Sequence, residues 1–248
     1  MRLIAVLAAA GEATDQESLR YALSNLQLDG QDGSVVGTDG RQLVRFDGFD
    51  FPWRDRAILV PATSLFSTAL LSRTTSLACG ADDHALILQA DDWMIRLPIE
   101  KEGRYPNVAL VLGQQNGPSN RVYLDSGDLD FFARHVKQLP GGNRDLAPVT
   151  LELNGRVELT AVGDEHVRPM RLRLSRSVHL GQPVSCSLNR HYLHRAAKLG
   201  VKELLRYGDS GPLVYRGDQL TYLVQPLTDG PELPDSIEPI MVDSAAGH

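Results

Sequence analysis

At 248 residues, with 42% hydrophobic and 23% charged residues, the chain has the composition of an ordinary folded protein, long enough for one large domain or two smaller ones. A formal net charge of −6 excludes a protein that coats nucleic acid with its whole surface, but leaves room for a local basic face. No apolar run approaches a membrane span, and the lone Cys79 and Cys186 exclude a disulfide framework or a cysteine zinc site, so a cytoplasmic protein without cofactor or membrane partner is expected.

Met1 opens into RLIAVLAAAGEATDQ, whose apolar stretch is barely the minimum for a secretory signal, so Arg2 to Ala10 is read as a short helix packed on a sheet. LSNLQLDGQDGSVVGTDGRQLVRFDGF then alternates strand, Asp-Gly turn, strand, turn, strand. Val60-Pro61 leads a second helical segment, Thr63 to Ser72, and SLACGADDHALILQADDWMIRLPI supplies three strands with Asp-rich turns.

A similar order follows in the second half. Ser126 to Leu139 reads as a helix with Ser126 as N-cap and Asp128 in its first turn. Strands follow in VTLELNGRVELTAVG and PMRLRLSRSV, then a helix from Asn189 to a Gly200 stop, then ELLRYGDSGPLVYRGDQLTYLVQPL. LILQADDWMIRLPI and LVYRGDQLTYLVQPL share strand, acidic turn, strand and Pro-aliphatic at an offset of roughly 125 residues, the length of a duplicated domain. The expected fold is therefore α+β with two duplicated domains, 1–115 and 120–228, and an extended acidic, proline-rich tail over 229–248.

Catalytic and metal signals are weak. The seven histidines have no ligand spacing, and Asp82-Asp83 and Asp91-Asp92 sit in hairpin turns, where Asp serves local hydrogen bonds. No phosphate loop, nucleophile elbow or Cys/His pair appears, so neither a catalytic residue nor a metal ligand is assigned. An unrelated enzyme of duplicated α+β fold stays a distant alternative.

SLRYALSNLQLDGQDGSVVGTDGRQLVRF, ILVPATSLFSTALL and GRYPNVALVL, in this order, resemble the middle domain of the bacterial DNA polymerase III β sliding clamp family. LNRHYLHRAAKLG and LTYLVQPL resemble that family's last domain. The ordered set TDGxxL, VP before a helix, GR(F/Y)P and a terminal V(M/Q)P(M/L) carries the specificity. The resemblance implies the DNA-clamp fold, with two helices per domain packed on antiparallel sheets. It also implies a ring that encircles duplex DNA without reading sequence and tethers polymerase or repair proteins through short linear motifs, with a clamp loader as a further partner. The family has three domains per subunit and this chain two, so six domains would need three chains; a homo-oligomer, with a trimer favoured, is expected. The resemblance also implies a strand before the first helix, and Met1 stands within that helix.

The resemblance places DNA against the helices, where cations suffice and base contacts are unnecessary. It assigns Arg2, Arg20, Tyr21 and Arg73 in the first half, and Arg134, Lys137, Arg190, His194, Arg195 and Lys198 in the second, to the DNA-facing side. Ala62-Thr63 stand where the family usually carries a basic pair. For the partner-peptide groove it assigns Leu23, Thr38, Gly40, Arg41, Gln42, Leu43, Pro106, Leu110, Val111, Leu223, Gln225, Pro226 and Leu227. Arg41-Gln42, Leu110, Gln225 and the chain beyond Leu227 depart from the family there. By themselves Thr38-Asp39-Gly40 make an ordinary turn. The alternative is a clamp-derived adaptor for protein interaction that forms no ring around DNA, favoured by the thin basic lining of the first half and the altered groove.

Overall fold

A computed structural model describes residues 2–18, 22–113, 117–142, 146–163, 167–208, 211–228, 230 and 237–246. The chain divides into two units, Met1–Gln114 with Gln219–Thr221, and Gln115–Asp218 with Tyr222–His248.

In the first unit, helix α1 (Leu3–Gly11) is apolar on nearly every side and buries Ile4, Val6, Leu7 and Ala10. It lies on the antiparallel strands β1 (Asn25–Asp29), β2 (Ser34–Thr38) and β3 (Gln42–Phe46). A Cβ on Gly37 would stand 2.1 Å from the Ala10 carbonyl oxygen, so only glycine lets this helix approach β2 so closely. Strand β4 (Ala57–Pro61), which periodicity did not single out, pairs with β1 and puts Leu26 opposite Val60, giving the order β4-β1-β2-β3.

The helical segment expected over Thr63 to Ser72 is split in two. A 3-10 turn, Ser64–Ser67, is capped by the Thr63 hydroxyl; Thr68 is extended, and α2 (Ala69–Ser72) resumes for four residues. Thr68 donates its hydroxyl to the Leu65 carbonyl at 2.8 Å, a local bond that competes with helix continuation. Strands β5 (Leu77–Ala81), β6 (Ala85–Ala90) and β7 (Trp93–Pro98) form a separate antiparallel sheet, and α3 (Val108–Leu112) follows.

The second unit opens with β8 (Asn120–Tyr123) and α4 (Ser126–His135). The cap of α4 is Asp125, not Ser126: its carboxylate accepts from the N–H groups of Gly127 and Asp128 at 2.9 and 3.2 Å, a charge-assisted bond the Ser126 hydroxyl cannot match. Strands β9 (Pro148–Leu153), β10 (Val157–Ala161), β11 (Met170–Arg173), β12 (Val178–Gly181) and β13 (Val184–Asn189) lead to α5 (Arg190–Lys198), which Asn189 caps. Strands β14 (Glu203–Arg206), β15 (Leu213–Gly217) and β16 (Leu220–Val224) complete the repeat. One sheet runs β13-β9-β10-β11 and another β12-β8-β14-β15, all antiparallel.

The tail expected to run extended is extended at β17 (Ile240–Asp243), where it also pairs, parallel to β11. Ser244, just past it, donates its hydroxyl to Asp128 Oδ1 at 2.6 Å. Asp128 was expected to complement the helix dipole from the first turn; it is fully buried, and its Oδ2 accepts from Arg176 N–H, Ser177 N–H and the Ser177 hydroxyl. Its partners come from 48 to 116 residues away, so no local pattern shows them.

Where β12 pairs with β8, His179 is buried with both ring nitrogens engaged. Nδ1 accepts from Gly155 N–H at 3.0 Å, so Nε2 carries the proton and donates to Asn120 Oδ1 at 2.8 Å. Burial lowers the imidazole pKa, so the fold holds His179 neutral below the pH at which the unfolded chain protonates it. The unfolded state then binds more protons, and stability contributed by His179 is lost as pH falls below about 6.5. Urea unfolding between about pH 7.5 and 5 should show this decline, and His179→Gln should reduce its slope; a variant retaining the full slope would contradict the assignment.

Candidate nucleic-acid and partner-binding faces

The cations assigned to DNA separate by burial. Arg20 and Tyr21 lie outside the described residues. Arg2 and Arg73 are exposed at opposite ends of the α1 and α2 segments. The field of Arg2 reaches Asp91, whose carboxyl is held below its ordinary pKa first by the Ser76 N–H, then by Thr75, and last by this guanidinium. The net positive field of the first unit's helices is correspondingly thin.

In the second unit α4 packs against α5. Phe131 and Phe132 on one helix and Leu193 and Ala196 on the other are buried. The helical period then leaves Arg134, Lys137 and Lys198 exposed and His194 and Arg195 half-buried. Arg134 donates from Nε to the Asp130 carbonyl at 3.2 Å, which holds its stem along the helix. Arg134 and His135 occupy the last turn of α4, and Arg195 and Lys198 that of α5, where cations also complement the negative helix end.

Arg190 does not belong to this set. Only 2% of it is exposed, and its guanidinium donates to the carbonyls of Ala147 at 3.0 Å and Leu139 at 2.7 Å, and also to that of Pro140. It ties Leu139, Pro140 and Ala147 to the start of α5 and is buried away from solvent. Spacing alone could not separate it from Lys198, because the carbonyls that hold it come from a loop more than 40 residues upstream.

The groove residues are distributed over both units. In the first, the β2–β3 turn is built by Asp39, whose Oδ1 accepts from Arg41 N–H at 2.8 Å and Gln42 N–H at 2.9 Å, while Oδ2 accepts from the Gln42 side-chain amide at 2.7 Å. Thr38 donates its hydroxyl to the Gln42 carbonyl and accepts from Gly40 N–H at 3.0 Å. These bonds hold the polar groups of Thr38 and Gln42 inside the turn, where both are buried, as is Leu43. Gly40 takes φ +87°, a conformation that disfavours other residues, and it and Arg41 are the exposed members. A Cβ on Gly40 would lie 3.8 Å from Leu23 Cδ1, so Leu23 sits under the turn.

Pro106, half-buried, lines a cleft of about 370 Å³ with Gln27, Asp29, Ser34 and Arg45. Asn107 caps α3, accepting from Leu110 N–H at 3.1 Å, and α3 presents Leu110 and Val111 to solvent, 78% and 43% exposed. In the second unit Leu223 is buried, Gln225 exposed, and Pro226 and Leu227 half-buried; Leu227 N–H donates to the Ser187 carbonyl at 2.8 Å. Besides Leu110 and Val111, Trp93 and Met94 on β7 are large exposed apolar residues, 57% and 68% exposed, which the strand pattern of the sequence did not mark.

The acidic turns behave as turns. Asp82 Oδ1 accepts from His84 and Ala85 N–H groups, both at 2.7 Å, which lower its pKa, and Arg96 bonds its second oxygen. Among the described residues no group of three or more His, Cys, Asp or Glu could hold a metal ion, and no helix is long and apolar enough to cross a membrane.

No protein-family model matches the sequence, and no curated protein matches it. Solved structures do match in fold. The DNA polymerase sliding clamp from Pseudomonas aeruginosa superposes with TM-score 0.75 at 19% identity, over 90% of this chain and 64% of that one. DNA polymerase III subunit beta from Borrelia burgdorferi gives TM-score 0.78 at 14% identity, over 92% and 61%. The Caulobacter crescentus sliding clamp gives 0.74 at 17%, over 92% and 63%. The chain thus has the α+β clamp fold, as its motifs implied, and spans less than two thirds of the length of each of these structures.

Burial separates the cations by consequence. Arg190→Ala should cost about 2–4 kcal/mol, because several buried carbonyls lose their donor. Arg134→Ala, Lys137→Ala and Lys198→Ala should each stay within about 0.5 kcal/mol of the parent; urea titrations measure both.

Proposed function

We propose that this chain is a non-enzymatic DNA tether of the clamp type, which holds duplex DNA without reading its sequence and recruits polymerase or repair proteins by short peptides. The observation that carries the reading is the α4–α5 pair of the second unit: on a chain of net charge −6, it gathers the exposed cations Arg134, Lys137 and Lys198, flanked by half-buried His194 and Arg195. The clamp fold of the chain supports it. An acidic body with basic helix faces attracts phosphate to those faces and repels it elsewhere. Two units per chain favour a ring of three chains, each contributing such faces.

A second reading, the adaptor without a ring, is favoured by the edge of β11. A sheet edge must be bare to continue into another chain, and β17 lies along this one. The thin basic face of α1 and α2 points the same way.

For peptide recruitment, Leu110 and Val111 offer aliphatic surface on α3 and the exposed Arg41 a charge at the turn. A peptide of QLxLF type should bind the parent protein, and Leu110→Asp should weaken it at least about tenfold without shifting the unfolding midpoint, since Leu110 touches little else. Absence of binding by the parent would remove the recruiting role.

DNA affinity should fall with salt, and replacing Arg134, Lys137 and Lys198 together by Ala should reduce the slope of log K against log salt by roughly 2 to 3, equally for unrelated sequences. An unchanged slope would refute the α4–α5 face. Sedimentation at micromolar concentration distinguishes the readings: a particle of three times 27.2 kDa supports the ring, and a strict monomer supports the adaptor.

A further inference from the structure

In the sheet β13-β9-β10-β11-β17 the first three pairings are antiparallel, and the last, β11 with β17, is parallel, the slightly weaker kind per residue. Strand β17 has four residues, of which Ile240 and Met241 stay 41% and 45% exposed, so docking it removes little apolar surface from water. Polar bonds hold it instead. Ile240 and Ser244 donate their N–H groups to the carbonyls of Pro169 and Arg173 at 2.8 and 3.0 Å, and Arg168 donates to the Glu238 carbonyl at 2.9 Å. The Ser175 hydroxyl donates to Asp243 Oδ1 at 2.7 Å, and the buried Ser244 hydroxyl accepts from Ser175 N–H while donating to Asp128 Oδ1. Water can replace such bonds at small net cost, and freeing the segment returns its conformational entropy, so β17 is held far less firmly than strands whose side chains fill the core.

The edge beneath β17 is built without its help. Arg171 is paired with Glu152 at 3.1 Å and Glu158 at 3.6 Å, and Arg173 with Glu158 at 2.8 Å, all across β9, β10 and β11. Leu172 is fully buried, and β11 is paired with β10 along its whole length, Met170 to Arg173. Asp128 keeps three donors on Oδ2 when Ser244 leaves: Arg176 N–H, Ser177 N–H and the Ser177 hydroxyl. Removing β17 therefore bares a finished edge, with the N–H and C=O groups of Arg171 and Arg173 outward, and does not unravel the unit. In the first unit β7 is likewise the edge of its sheet, and it shows Trp93 and Met94 to solvent. A donor edge on one unit and a receiving edge on the other make a heterologous contact, the kind that closes rings.

We propose that β17 is a releasable strap: docked, it closes the β11 edge and keeps the chain apart from its copies; released, it leaves β11 to pair with β7 of a second copy. Resting on the ring reading above, the strap reconciles a ring with a covered edge and makes assembly subject to control by the tail.

The test locks and unlocks the strap in the full chain. Met170 and Ile240 stand opposite each other in the ladder, so Met170→Cys with Ile240→Cys ties β17 to β11 on oxidation. Val242 lies in phase with the N–H donors of Ile240 and Ser244, so Val242→Pro removes a ladder donor by a change confined to the strap. In sedimentation, Val242→Pro should exceed 27.2 kDa at a concentration at least about tenfold below the parent's, and adding Met94→Asp should return it to a monomer. The oxidised pair should stay at 27.2 kDa throughout, and reduction should restore the parent's behaviour. Hydrogen exchange at the amides of Arg171 and Arg173 should be at least about tenfold slower in the oxidised than in the reduced pair. Association that ignores the lock would overturn the strap and leave the ring standing. A monomer in every form would overturn both, and exchange indifferent to the lock would overturn the strap whatever the mass.

Discussion

A β-sheet can end only where its outermost N–H and C=O groups find water or a partner, and most of what distinguishes this chain follows from how its edges are closed. In the second unit β8 closes β14, β12 closes β8 in turn, and β17 closes β11. The same condition explains the buried polar groups of that unit. His179 and Asn120 bond each other where β12 meets β8, and Ser244 reaches the fully buried Asp128 directly after β17. Each polar pair fixes a register that hydrophobic contact alone would allow to slip. In the first unit β5, β6 and β7 form a sheet of their own, and an apolar cavity of about 560 Å³ lies between Leu77 and Cys79 of β5 and Leu3, Ile4 and Ala8 of α1.

Charge is arranged on a different principle. Asp39 and Asp82 each accept two N–H bonds from their own turn and so build hairpins, whereas Asp91, expected to serve local bonds in its turn, accepts instead from the Thr75 and Ser76 N–H groups just before β5. In the second unit Arg134, Arg195 and Lys198 lie on α4 and α5, whose opposite faces are buried, and Lys137 lies in the 3-10 turn that follows α4. An overall negative charge and a local positive face therefore coexist without conflict, and the same cations that complement the helix ends remain accessible to an anion.

Much of this was legible in the sequence, and the limits have physical causes. Asp-Gly and acidic turns between alternating runs located β1 to β3 and β5 to β7, because turn chemistry is local. Asn189 and Gly200 bracketed α5 for the same reason. Strand β4 was hidden since AILVP, continuous and apolar, has no alternation to read. Thr63 and Thr68 shortened the second helix through bonds to the nearby backbone, a competition that apolar period does not register. The duplicated fold was legible from ordered motifs, whereas burial was not: Arg190 and Lys198 look equivalent in a basic helix, but one is held by carbonyls from the 139–148 loop and the other is exposed. Asp128 lies in the first turn of α4 as its spacing implied, but its burial was not legible, because Ser177 and Ser244 come from distant segments.

The central claim is that this clamp-fold chain holds DNA by enclosing or tracking the duplex rather than by reading it. The most direct measurement is retention on nicked circular DNA through a high-salt wash, repeated after the circle is cut once. The account predicts that protein kept on the circle leaves when the DNA is made linear, with no dependence on sequence. Equal retention on circular and linear DNA, or none on either, would contradict it.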